Sequence, residues 1–203
     1  MVIKYSLLIV LLLLPATLVS AATLSGTCTV KFFVDSTLHK VEGQGACEPF
    51  TWTTQTTDGG REVIRAAVVR VPVTGLDTDN GSRNKNMYAM FEAEQYPQIK
   101  GRFGELDPAA LLQQLGSGNT AEPLPFDLTI RSITRPVEAT ISSFKQTPGQ
   151  VDMVAEFPLS LQDFELKPPS VLGIIRVADQ LRVRVEVTLQ GDALALAATT
   201  PAQ

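Results

Sequence analysis

Few side chains in this sequence could do chemistry. His39 is the only histidine, and the serine nearest before it is Ser36, in "DSTLHK". A serine nucleophile needs a base that a third group orients. This pair falls at the tip of an expected hairpin, so His39 reads as a surface turn residue, with a polar head-group contact as its other reading. Cys28 and Cys47 are the only cysteines. In an oxidising compartment one disulfide is the simplest reading. A metal pair is the alternative, but one His and two Cys make a poor ligand set. "DTDNG" from Asp77 begins like a calcium loop, yet the twelfth position of such a loop must carry a carboxylate and here is Tyr88. A turn and a helix cap therefore account for Asp77, Asp79 and Asn80. Asn80-Gly81-Ser82 matches a glycosylation sequon, a match common by chance. There is no glycine-rich phosphate loop after a strand and no pair of catalytic carboxylates. The sequence assigns no catalytic residue, no metal and no cofactor, and it reads as a binding protein and not an enzyme.

The compartment follows from the first residues. Lys4, the apolar run "LLIVLLLLPATLV" and the small residues of "SAA" together read as a secretory signal peptide over residues 1–22. The run is shorter than the ~20 residues a spanning helix needs. No later segment is apolar enough to span, and Cys28 lies too far from the run for a lipoprotein. A periplasmic or secreted protein is implied. The net charge is −4, and loss of Lys4 makes the mature chain more acidic still. With no basic tract, nucleic acid is excluded as a partner. One domain is expected over residues 23–192, with a disordered tail over 193–203. Homo-oligomerisation is left open.

Period-two alternation dominates the rest and predicts half-buried strands. In "LRVRVEVTL" the residues Leu181, Val183, Val185, Val187 and Leu189 face one way, with charged and polar residues on the other. "VDMVAEFPLSL" repeats the pattern through Met153, Ala155, Phe157 and Leu159, and Pro158 on its outer face predicts an edge or a bulge. Val30, Phe32 and Val34 alternate similarly. Pairing Val34 with Val41 on a return strand sets Cys28 opposite Cys47. "FDLTIRSITRPVEATI" predicts a hairpin in which Ile130 opposes Val137, Leu128 opposes Ala139 and Phe126 opposes Ile141. "REVIRAAVVRVPV" predicts one long strand with Val69, Val71 and Val73 inward, and a shorter strand carries Ile99, Gly101 and Phe103. About eight strands result, in an antiparallel barrel or sandwich.

Two helices interrupt them. Asp107-Pro108 caps and opens "PAALLQQL", which Gly116 ends. The other helix starts at Asn80 or Ser82, presents Met87, Met90 and Phe91 on one face, and stops before Tyr96-Pro97. The inward rows mean either a filled core or a hollow one, because barrels of about eight strands exist in both forms.

The stretch "VRVPVTGLDTDNGSRNKNMYAMFEAEQYPQIKGRF" resembles the central signature of the YceI-like, polyisoprenoid-binding, lipocalin-like family. It shares the valine-rich strand, the "LDT" turn, an arginine opening a short helix, an aromatic residue within that helix, and the closing "YPQI". "STLHKVEG", the 126–141 hairpin and the last strands are similar to other family segments. The resemblance implies a lipocalin-like β-barrel whose apolar interior holds a long isoprenoid, an isoprenoid quinone or a fatty chain, with no catalytic residues. Phe32, Val34, Val69, Val71, Met87, Met90, Phe91, Phe103, Leu128, Ile130, Phe157, Val183 and Val185 are then the candidate lining. Arg83 is the candidate rim contact to a polar head. The alternative is a structural or interaction β-domain with a filled core. Arg131-Ser132 stands where the family often has His-Gly, and the cysteine pair and "DPAALLQQLGSGNTAEPLP" are not general family features.

Overall fold

A computed structural model of the protein describes residues 21–36, 40–117, 123–168, 177–192 and 194. His39, the leader up to residue 20 and the tail beyond Leu194 lie outside the described residues. In chain order the elements are β1 (Thr23–Ser36), β2 (Lys40–Ala46), β3 (Phe50–Thr53), β4 (Gln55–Thr56), β5 (Glu62–Val63), β6 (Ala67–Pro72), α1 (Gly81–Met90) and β7 (Gln98–Phe103). They continue with α2 (Pro108–Gly116), β8 (Leu124–Ile130), β9 (Ile133–Thr147), β10 (Gln150–Ser160) and β11 (Val177–Gln190).

One antiparallel sheet runs β2-β1-β11-β10-β9-β8-β7-β6, with β3 pairing the first part of β1. The sheet curls until its outer members meet, as an apolar inner face demands. Closure is by points and not by a ladder. Gln44 and Asp77 exchange backbone hydrogen bonds of 2.8 and 2.7 Å, and the Glu48 N–H donates to the Arg70 carbonyl at 2.8 Å. The registers define two ends. Ser36, Val177, Ile130 and Ile133 share one end, and Thr23, Gln190, Gln150 and Thr147 share the other.

Each end carries a helix. α1 follows the 3-10 turn Val73–Gly75 at the first end and buries Met87. Asn80 is its N-cap, its side chain accepting from the Arg83 N–H at 2.9 Å. α2 has Asp107 as N-cap and Pro at its start, and it buries Leu112 among Leu24, Ile64, Ala67, Val151 and Leu189 at the second end. Ala22 and Leu194, just outside the expected 23–192 span, are buried in the same cluster.

The first hairpin has the expected register, Val34 opposite Val41, and Cys28 and Cys47 are joined as a disulfide with Cα atoms 5.3 Å apart. That spacing suits a cross-strand bridge. Three expectations need correction. The 126–141 hairpin turns at Arg131-Ser132, so Ile130 opposes Ile133, Leu128 opposes Arg135 and Phe126 opposes Val137. Arg131 takes φ 56°, which allows the two-residue turn that matches strand twist. The stretch from Arg61 to Val73 is not one strand. It breaks between β5 and β6 because Ile64 leaves to exchange hydrogen bonds with Leu106 and bury under α2. Val73 enters the 3-10 turn, buried but off the inner row. Pro158 lies on a central strand, so of its two readings the edge fails, while β10 does carry a register shift, between Val154 and Ala155. Pro158 pairs with Arg182 beyond the last residue that β10 shares with β9, where a missing N–H breaks no ladder.

Candidate functional site

The inner face encloses a cavity of about 500 Å³. Alternation along β1, β6, β7, β8, β10 and β11 sends every second side chain into it. All thirteen candidate lining positions named from the sequence line it, whereas Val73 and Val137, also expected inward, do not. Phe32 and Val34 come from β1, Val69 and Val71 from β6, and Phe103 from β7. Leu128 and Ile130 come from β8, Phe157 from β10, and Val183 and Val185 from β11. Met87, Met90 and Phe91 reach it from α1 and its C-cap, and Cys28 brings one side of the disulfide. The volume is within the range of small-molecule sites, ~300–1,000 Å³.

Sequence reasoning named Phe103, Phe126 and Phe157 but missed Phe50 and Trp52, which complete an aromatic row. Phe50 and Trp52 of β3 stack with ring centroids 4.4 Å apart, and Trp52 approaches Phe103 at 6.5 Å. Phe103 stacks on Phe126 at 5.2 Å, which meets Phe157 edge-on at 5.2 Å. All five line the cavity. The signal was there in the alternation of "FTWT", but four residues between Cys47-Glu48-Pro49 and a polar, threonine-rich stretch give little period to read. The Trp52 indole N–H donates to the Val68 carbonyl at 3.3 Å, so the ring also ties β3 to β6 across the closure.

Polar lining gathers around α1: Ser36, Thr78, Asn80, Ser82, Arg83 and Asn86. Arg83 is held in place, its Nε donating to Thr78 Oγ1 at 3.0 Å and its terminal nitrogen to the Thr78 carbonyl at 2.8 Å. Thr78 Oγ1 in turn donates to Asn84 Oδ1 at 2.6 Å, and the Asn84 amide donates to Asp77 Oδ1 at 2.6 Å. The Asn84 amide and then the Asp79 N–H hold the Asp77 carboxyl below its usual range. The "DTDNG" turn is therefore a self-satisfied hydrogen-bond network that sets the start of α1. The Tyr88 hydroxyl fixes the middle of the helix, donating to the Leu76 carbonyl at 2.6 Å. Arg131 is not in the lining and pairs instead with Glu92 at 2.9 Å.

The site's chemistry is that of a solvent. Its walls are apolar, its few polar groups gather around α1, and among the described residues no cluster of His, Cys, Asp and Glu could hold a metal ion. No helix among them is long and apolar enough to cross a membrane.

The sequence matches the family described as YceI-like domain over residues 20–189. No curated protein matches. Solved structures with the same fold include a polyisoprenoid binding domain from Saccharophagus degradans implicated in plant cell wall breakdown, 10% identical, with a TM-score of 0.58. The match covers 82% of this chain and 97% of that one. BcnA of Burkholderia cenocepacia is 14% identical with a TM-score of 0.57, covering 79% of this chain and 95% of that one. At these identities the likeness is one of fold.

Proposed function

The chain belongs to the YceI-like domain family, and from that premise we propose that it is a carrier of a long apolar lipid, a polyisoprenoid, isoprenoid quinone or fatty chain, held inside the barrel. The observation that carries the reading is the cavity of about 500 Å³ with an almost wholly apolar wall. A filled β-domain that only displays its loops would have no use for such a void, since protein interiors normally pack to crystal density. Apolar contact is the driving force, at roughly 25 cal/mol per Å² removed from water. The thirteen lining positions named from the sequence would supply much of that contact, and Arg83 would meet the head at the rim. The disulfide supports an oxidising compartment, in keeping with a leader over residues 1–22 that delivers the protein to the periplasm or beyond.

Native mass spectrometry of protein purified from its host, followed by organic extraction, tests the reading. A stoichiometric lipid with a long apolar chain is expected. Protein that is lipid-free as isolated, and that takes up neither an isoprenoid quinone nor a fatty acid when offered one, would sink the proposal.

A further inference from the structure

Polarity in the cavity is one-sided. Every polar lining group named above belongs to the α1 end: Ser36 closes β1, and Thr78, Asn80, Ser82, Arg83 and Asn86 surround the helix start. The opposite end is lined by Phe50, Trp52, Phe103, Leu106, Leu111 and Leu124, beneath α2. The only hydrogen-bonding side chain among these six is Trp52, and its N–H is already given to the Val68 carbonyl. α2 seals this end with Leu112, and the reciprocal Ile64–Leu106 hydrogen bonds close the backbone beside it.

A polar atom placed at that blind end would lose its water and gain no partner, a cost of a few kcal/mol for a neutral group and more for a charge. At the α1 end the same atom would meet hydroxyls, amides and a guanidinium. We propose that the cavity takes its ligand in one orientation only. The ligand is a single-headed amphiphile whose head bears hydrogen-bond-accepting oxygens, with the head among Thr78, Ser82, Arg83 and Asn86 and the chain end against Trp52. This deepens the lipid-carrier reading and rests on it. Lipids with a polar group at both ends are excluded by the apolar floor.

Trp52 is the only tryptophan in the chain, so its emission reports on the floor alone. Stearic acid brominated near its methyl end should quench most of that emission, whereas stearic acid brominated near its carboxyl should quench little. Native mass spectrometry of the same samples confirms that each is bound. Octadecanedioic acid, with a carboxylate at each end, should compete on the order of tenfold or more weakly than stearic acid. Equal quenching by the two brominated acids, stronger quenching by the carboxyl-end label, or equal competition by the diacid would overturn the orientation and leave the carrier reading standing. Absence of any bound acid would overturn the orientation, and failure to take up an isoprenoid quinone as well would overturn the carrier reading with it.

Discussion

Glu186 shows how single residues hold the outer face while the inner face stays apolar. It accepts from Lys31 at 2.9 Å and from Arg184 at 3.3 Å, and Arg184 also reaches Glu156 at 2.7 Å. The row crosses β1, β11 and β10 on the solvent side. The Lys31 ammonium first, and then the Arg184 guanidinium, hold the Glu186 carboxyl below its ordinary value of 4.5. A carboxyl depressed in the folded state stabilises the fold above its unfolded pKa, and that contribution disappears as pH falls through the lowered value. Glu186→Gln should therefore be less stable than the parent at neutral pH, and the difference should shrink at acid pH. Urea denaturation at the two pH values measures it, and a gap that stays constant with pH would refute the assignment. The effect is small because the pair is solvent-screened, and added salt should shrink it further.

At the scale of elements, the lid helix and the first hairpin carry separate loads. α1 begins where the Asn80 side chain accepts the Arg83 N–H. Asn80→Ala should cost about 1 kcal/mol of stability and speed amide exchange at Arg83 and Asn84, read by urea titration and hydrogen exchange. Unchanged exchange at those two amides would show that Asn84 and Tyr88 fix the helix without the cap. The disulfide closes a separation of 19 residues next to the seam where β2 and β3 meet β6. Its reduction should cost about 3 kcal/mol by restoring freedom to the unfolded chain, a shift that urea titration with and without dithiothreitol would register. How well these elements could be read beforehand depended on their period. Val34 against Val41 and Asp107 ahead of Pro108 are local patterns with one good solution. The 126–141 register was misread because Arg131 gives no hint in its residue type that it will accept φ 56°. The break at Ile64 depends on Leu106, far along the chain, which no local pattern can anticipate.

For the whole molecule the question is whether the barrel is hollow, and alternation alone has no answer to it. Val183, Val185, Leu128 and Phe157 would occupy the same inner rows in a packed core. What decides is the sum of side-chain volumes across strands, a quantity that appears only when the sheet has curled. Gly101 makes the difference measurable. It sits on β7 between Val69 and Leu128, and it lines the cavity. A Cβ built there would find only the Phe126 ring, at 3.6 Å, an ordinary contact. In a filled barrel, Gly101→Leu would force neighbours off their rotamers and cost roughly 1–3 kcal/mol. In a hollow one the new side chain enters empty space, and a strand glycine is replaced by a residue that packs. We therefore expect Gly101→Leu to be as stable as the parent, or more stable by up to about 1 kcal/mol, while its capture of long-chain lipid falls severalfold because the bore is narrowed. Urea denaturation and native mass spectrometry on the same preparation give both numbers. Destabilisation with lipid capture intact would mean that the interior is packed at Gly101 and that the chain runs elsewhere.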